Sequence, residues 1–267
     1  MEKISKAQVK IVRSLQQKKY RDELGLFVAE GKKCVEELEK AFELVYRIQS
    51  TECSADSAQS GTLLATPTEI EQMSSLRTPQ GVIGVFKKRP NDPINEQMVH
   101  GQMVLALDGI QDPGNLGTII RTCDWFGVHD IFCSSDTADC YNPKVVQATM
   151  GALARVRIHY VDLPEWLKEQ KGNIFGTLLE GRDMYEVLQS EGRSNSVSGL
   201  TGEAGLTAKR SIIVMGNEGN GISPAIRRLI THPVRIPSYP ADAETSESLN
   251  VSIATAIVLA EFRRPKV

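Results

Sequence analysis

The chain has 267 residues, a formal net charge of −2 and a pI near 6.1, which is length enough for two modest domains. Hydrophobic residues make up 41% and charged residues 24%, the balance of an ordinary soluble globular protein. That charge argues against a uniformly basic nucleic-acid packager and leaves room only for a local basic patch. The five cysteines are odd in number and form no C-x-x-C, so reduced, mostly buried thiols are expected in place of a disulfide framework or zinc site. Met1-Glu2-Lys3 opens without an apolar signal region. The longest apolar run, Ile253 to Ala260, is too short to cross a bilayer. The expectation is a cytoplasmic protein with no membrane association.

Apolar positions at Ile4, Ala7, Ile11, Val12 and Leu15 predict a helix over 4–19. Its polar positions are basic: Lys3, Lys6, Lys10, Arg13, Lys18, Lys19 and, just beyond, Arg21. Such a face is either a solvated surface or a grip on phosphates. A strand at Gly25–Glu30 turns at Gly31 into a helix through Ala41. Strand patterns follow at Leu44–Ile48, Thr62–Ala65 and Val82–Phe86, with a short helix after Pro67. Lys87-Lys88-Arg89-Pro90-Asn91-Asp92-Pro93 reads as a linker, which puts a boundary near residue 95 and divides the chain into 1–95 and 96–267.

From Met103 the pattern is regular. Strands at Met103–Leu107, Asp130–Cys133, Val156–Tyr160, Ile174–Leu179 and Ser211–Met215 alternate with helices at Asn115–Phe126, Lys144–Leu153, Leu163–Glu169 and Met184–Leu188. Short apolar strands between helices predict an α/β fold, a parallel sheet covered on both faces. Residues 189–210 are rich in Ser, Gly and Glu without periodicity and read as a long loop. A further strand near Val234–Pro237 precedes a helix ending near Phe262.

Three polar clusters fall at strand ends, where ligands bind in open α/β sheets. The first is Asp108 to Arg121, with Gly114 and Gly117 for close backbone approach and Asn115 as helix N-cap. The second is Gly216-Asn217-Glu218-Gly219-Asn220-Gly221, and the third is Ser248-Leu249-Asn250 at a helix start. Singly, each reads equally well as a turn, a cap or a surface ion pair. Neither G-x-G-x-x-G nor a phosphate-binding loop is present, so a nucleotide-dependent enzyme of another class has little support.

In this order the clusters N-x-G-x-x-x-R, G-N-E-G-x-G and S-L-N-V-S resemble motifs 1 to 3 of the SpoU (TrmH) family of RNA 2′-O-methyltransferases, in the SPOUT superfamily. The resemblance spans about residues 100–265. The segment containing Lys18-Lys19-Tyr20-Arg21 and Gly25–Gly31 is similar to the small RNA-binding domain that many members carry. The resemblance implies S-adenosylmethionine as methyl donor, a C-terminal trefoil knot, and a homodimer using the C-terminal helix. It implies RNA as substrate, ribosomal RNA favoured over transfer RNA. Arg121, Asn115, Glu218, Ser248 and Asn250 match the family's polar catalytic set. Thr177, Leu178, Gly216, Ile236 and Leu249 match its donor-binding positions. Lys10, Arg13, Lys18, Lys19 and Arg21 would grip RNA, and no metal is implied. Arg121 would hold the phosphate beside the reacting hydroxyl, Asn250 and Ser248 would orient that hydroxyl, and Glu218 would order Arg121 or its loop.

One departure stands out. The family's I-P-M-x-G before Ser-Leu-Asn is here Ile236-Pro237-Ser238-Tyr239-Pro240 followed by an acidic stretch with Asp242, Glu244 and Glu247. A catalytically impaired RNA-binding relative is therefore the second reading.

Overall fold

The computed structural model describes residues 2–53, 61–90, 102–194 (backbone only for 191–194), 211–240, 246 and 248–264. The rest of the 189–210 stretch, the end of the proposed linker, and Asp242, Glu244 and Glu247 lie outside the described residues. The chain packs into two compact units, Met1–Asn91 with Asp139–Arg155, and Asp92–Ala138 with Val156–Val267.

The first unit is built on a mixed five-stranded sheet of order β1-β4-β3-β5-β2. Its strands are β1 (Glu2–Lys3), β2 (Leu26–Glu30), β3 (Leu44–Ser50), β4 (Thr62–Ala65) and β5 (Val82–Lys87). Helices α1 (Lys6–Ser14) and α4 (Pro67–Met73) cover one face, burying Val9, Val12, Leu15, Ile70 and Met73 against Val28, Ile48, Leu63 and Val85. On another side of the unit α3 (Lys32–Leu38) packs against β2 and β5, and α6 (Pro143–Thr149) against β2. Phe27 there meets Phe42, Phe86 and Tyr141 at ring distances of 4.8 to 5.5 Å.

The single helix expected over 4–19 is two. Ser5 and Gln8 form a capping box that starts α1 two residues after Ile4, so Val9 is buried and Ala7 is exposed. The helix stops at Ser14, and α2 (Lys18–Leu24) begins after the extended Gln17. Arg21 of α2 explains the break. Its Nη1 donates to the Leu15 and Gln16 carbonyls, both at 2.9 Å, satisfying acceptors that a helix end leaves orphaned. Its Nη2 and Nε bind Asp139 Oδ2 at 2.7 and 3.1 Å.

The second unit holds a six-stranded sheet of order β11-β9-β10-β6-β7-β8, in which every pairing is parallel. The strands are β6 (Met103–Asp108), β7 (Asp130–Cys133), β8 (Arg157–Tyr160), β9 (Asn173–Asp183), β10 (Ser211–Gly216) and β11 (His232–Arg235). Ile212 and Val214 belong to one core with Val104, Phe132, Trp166 and Ile174, to which α7 (Leu163–Lys168) contributes Leu163 and Leu167. The intervening Ile213 and Met215 are equally buried. Near-continuous apolar strands are what a parallel sheet covered on both faces requires. Helices α5 (Pro113–Trp125) and α10 (Val251–Phe262) pack together, and Phe262 meets Phe175 of β9 edge-on at 4.9 Å.

Other helices also differ from the sequence pattern. Helix α8 (Met184–Ser194) runs longer than expected, and a four-residue helix α9 (Pro224–Arg227) lies inside what read as loop. Asp130 on β7 is buried where it accepts from Arg157 (2.7 Å) and His159 (2.8 Å) on β8. Burial pushes its carboxyl up, but those two hydrogen bonds and charges outweigh it and hold it below the usual carboxylate range. Four of the five cysteines are buried and Cys53 is half-buried, all as free thiols.

Candidate active site

Strands β6 and β10 lie side by side with Asp108 opposite Gly216, so the loops carrying the first two motifs leave the sheet from neighbouring strand ends. From β6 the chain runs outward to β7 and β8, then crosses back to β9 and β10. The β6/β10 edge is thus the point where strand order reverses, the place where such sheets bind ligands.

Hydrogen bonds tie the two loops together. Asp108 accepts from the Ser223 amide at 2.7 Å. Asn217 donates its Nδ2 to the Gly109 carbonyl at 2.7 Å, while its Oδ1 accepts from the amides of Gly219 (2.8 Å) and Asn220 (3.2 Å). Its backbone pairs with Gly221 in both directions. Gly109, with φ of +68°, makes the turn out of β6 and donates its amide to Ser134 Oγ at 2.8 Å. Gly216 has no room for a side chain, because a Cβ would lie 2.3 Å from the Gly221 carbonyl carbon and 2.4 Å from Ile222 N. Its glycine is a packing requirement of the loop itself.

Helix α5 opens one turn earlier than the sequence reading puts it. Asp112 is the N-cap, accepting from the Asn115 amide at 2.8 Å, with Pro113 as the first helical residue. Asn115 is therefore not the cap. Three residues in, its side chain is free to reach outward, and Nδ2 donates to Glu218 Oε1 at 2.9 Å. Asn250 arrives from the third motif and donates Nδ2 to the same Oε1 at 2.5 Å and to Asn115 Oδ1 at 3.0 Å. The Val251 amide adds a donor to Glu218 Oε1 at 3.2 Å. Asn250 Oδ1 caps α10 through the amides of Ser252 and Ile253, as the sequence suggests for a residue at a helix start. A carboxylate thus lies at the N-termini of two long helices, where their dipoles favour it. Glu218 and Asn250 are exposed and Asn115 half-buried, so the joint is open to a substrate.

The structure brings Asn115, Glu218 and Asn250 together but not the whole expected set. Arg121 lies exposed on α5 along the stripe of Thr118 and Trp125. No hydrogen bond among the described residues joins it to Glu218, whose Oε1 is engaged by Asn115, Asn250 and Val251. Among the described residues none hydrogen-bonds or ion-pairs with Arg121, and none joins Ser248 to the cluster. Asp108, Asp112 and Asn217 organise the site and escaped the sequence reading; the signal for Asp112 was the proline directly after it.

Of the positions expected to hold the donor, Thr177 and Leu178 lie within β9, Gly216 ends β10, Ile236 follows β11 and Leu249 precedes α10. Pairing of β9 with β10 ends at Val214–Gly176, and its pairing with β11 jumps from Gly176 to Arg182. Residues 177–181 are thereby drawn off the ladder. Thr177 Oγ1 donates to the Val214 carbonyl at 3.4 Å, and Leu178 packs half-buried on the core. Ile236 is half-buried after β11, and Leu249 is 46% exposed just before Asn250. Unladdered peptide groups with apolar side chains are the chemistry that an adenine ring fits.

In the first unit the expected RNA grip is only partly available. Lys10, Arg13 and Lys19 are exposed and Lys18 pairs with Asp22 at 3.0 Å. Arg21 is 1% exposed and committed to Asp139 and two carbonyls, so it cannot contact RNA.

Residues 102–260 match the family model described as the SpoU rRNA Methylase family. The chain belongs to that family. Residues 6–84 of this SpoU-family chain match the MRM3-like substrate binding domain. The chain is 28% identical over 272 residues, 98% of both proteins, to the 23S rRNA (guanosine(2553)-2′-O)-methyltransferase RlmP of Bacillus subtilis (strain 168). It is 32% identical over 197 residues, 70% of each, to the 23S rRNA (guanosine-2′-O-)-methyltransferase RlmB of Neisseria meningitidis serogroup B. Among solved structures it resembles a TrmH-family protein from Porphyromonas gingivalis with a TM-score of 0.78 and 34% identity, covering 97% of this chain and 98% of that one. It also resembles an AdoMet-bound rRNA methyltransferase from Sinorhizobium meliloti, with a TM-score of 0.76, 30% identity, and 98% and 96% coverage.

Proposed function

We propose that this SpoU-family chain transfers the methyl group of S-adenosylmethionine to a ribose 2′-hydroxyl of ribosomal RNA. The observation that carries this reading is the joint of Asn115, Glu218 and Asn250, which draws one residue from each motif into a single solvent-facing cluster at the strand-order reversal. The joining of those three favours the active enzyme over the impaired relative.

Bound S-adenosylmethionine would supply an electrophilic sulfonium methyl, held by Thr177, Leu178, Gly216, Ile236 and Leu249. The protein's own part is chiefly placement. Asn115 and Asn250 present amide groups to the sugar, with Ser248 beside them, and Glu218 fixes both amides. Arg121 holds the adjacent phosphate in a two-pronged contact and stabilises the alkoxide that develops on the 2′-oxygen. A guanidinium keeps its proton and is poorly suited to act as the base, so the hydroxyl proton leaves to solvent as the methyl moves to the 2′-oxygen and S-adenosylhomocysteine departs. None of these roles needs a metal.

The test uses Arg121→Ala. Tritium transfer from labelled donor to unmodified ribosomal RNA should be lost, while calorimetric titration with S-adenosylhomocysteine stays at the wild-type affinity. Retained turnover would remove Arg121 from the mechanism.

A trefoil knot at the carboxyl end of the second sheet belongs to the same reading. It is supported by the close backbone passage of Gly181 against Val234, where any Cβ would overlap main-chain atoms. An experimental chain trace without a threaded segment would exclude it. Residues 1–95 would bind RNA and 96–267 would carry the chemistry. A homodimer and a cytoplasmic location complete the proposal. Among the described residues, no helix is long and apolar enough to cross a membrane.

A further inference from the structure

Within the first unit, the segment 74–81 between α4 and β5 is pinned by a buried acid. Glu30, 5% exposed at the end of β2, accepts from Ser74 Oγ (2.5 Å), the Ser75 amide (2.7 Å) and Ser75 Oγ (2.8 Å). The far end of the segment is pinned beside the next residue, since Gln80 Oε1 lies where a Gly31 Cβ would come within 2.1 Å of it. Both ends of the loop are thus held at Glu30-Gly31, directly before Lys32 and Lys33 in the chain, and Arg77 is exposed in its middle. With two to three residues on either side of Arg77, and about 3.5 Å of reach per residue, the three cations share one edge. Arg13 extends it, because Gln16, one turn further on, donates Nε2 to the Met73 and Ser74 carbonyls at the start of the loop.

All four cations are exposed, and none has a hydrogen bond or ion pair among the described residues. The acids of the adjoining helix are already engaged. Arg47 takes Glu39 at 2.5 Å and Glu36 at 3.8 Å, and Lys40 and Arg155 take Glu37. The edge is therefore preformed and its cations are unpaired among the described residues, with Glu30 buried at its anchor and bonded to serine donors.

We propose that Lys32, Lys33, Arg77 and Arg13 form the phosphate-binding edge by which the first unit takes the sugar–phosphate backbone of the RNA substrate. This extends the grip beyond the α1–α2 surface, where Arg21 is buried and Lys18 paired, to the loop that Glu30 holds. It rests on the proposed function for the identity of the polyanion. Three cations on one fixed loop and an adjoining turn suit a run of phosphates, and an electrostatic grip of this kind carries no base preference.

The test compares two triple variants with the same loss of charge. Lys32→Ala/Lys33→Ala/Arg77→Ala removes the edge. Lys40→Ala/Lys87→Ala/Lys168→Ala removes cations that already pair with Glu37, Glu43 and Glu165. Binding to an unmodified 23S rRNA transcript is measured across a salt series, with S-adenosylhomocysteine titration as the check on the donor site. The edge variant should bind at least tenfold more weakly near physiological salt. Its log–log salt slope should be shallower by about 2, from about 0.7–0.9 per phosphate contact, with donor affinity unchanged. The control variant should keep the wild-type slope. Equal slopes for wild type and edge variant, or an equal loss in both variants, would overturn the edge alone. A wild-type protein that neither binds nor methylates the transcript would overturn the function and the edge with it.

Discussion

Asn217 contributes more hydrogen bonds to the site's loops than any residue in the expected catalytic set except Asn250 and Glu218, although it has no assigned contact with substrate. One side chain bonds Gly109 across the gap between β6 and β10 and also closes its own turn on Gly219 and Asn220. Asn217→Ala leaves the Gly109 carbonyl and both amides without these partners, a loss of order 1–3 kcal/mol per buried group. Because Glu218 is the next residue, the effect should appear in kcat more than in KM for RNA. A fall of about tenfold or more in single-turnover methyl transfer is expected; unchanged kcat would show that the loop is held without it. Arg21 gives the opposite lesson. Seven basic residues near the N-terminus look alike in sequence, and what sets Arg21 apart is Asp139, 118 positions away. No local pattern carries that information.

Elements with strong periodicity were legible, and their ends were not. The strands around Asp130–Cys133 and Ser211–Gly216 and the helix ending at Phe262 stand where their apolar runs put them, because burial on both sheet faces leaves no other pattern. The start of α5 was misplaced since Asp112 and Asn115 are both good caps, and only the fixed φ of Pro113 decides between them. The α1–α2 break was hidden because the side chain that satisfies its open carbonyls comes from the following helix. In the site, the three motif residues were legible and their mutual hydrogen bonds were not. The glycine of β10, read as a donor contact, also has a steric reason that the sequence did not reveal. All three atoms that a Cβ would strike belong to the main chain, so no rotamer change can relieve the overlap. Gly216→Ala should destabilise the protein by about 1–3 kcal/mol, seen as a lower denaturation midpoint at unchanged m-value. Wild-type stability would mean that the 217–221 turn shifts freely.

For the molecule as a whole, an apolar surface of the second unit is left uncovered by the described residues. Helix α10 is apolar on every side, yet Ile253 is 54% exposed and Ala260 is also exposed, while Trp125 on the adjoining α5 is 84% exposed. A helix apolar all round is expected to be covered on all sides. The homodimer of the proposed reading would supply the cover. In sedimentation equilibrium the wild type should run at twice the 29.4 kDa chain mass, and Ile253→Asp should shift it to the single-chain mass while preserving the circular dichroism spectrum. A wild-type monomer at micromolar concentration would remove the dimer from the proposal.

The Asn115–Glu218–Asn250 joint also constrains the order of events during folding. Its bonds close separations of 103 and 135 residues, far beyond anything a helix or a neighbouring strand pair can form locally. Contacts of such range contribute only after the intervening chain has condensed, since closing long loops costs entropy first. The two helices that carry Asn115 in the first turn and Asn250 at the cap can therefore be present before the cluster between them exists. In a refolding experiment, recovery of methyl transfer should trail the far-ultraviolet signal, and the delay would measure how late the chain acquires its chemistry.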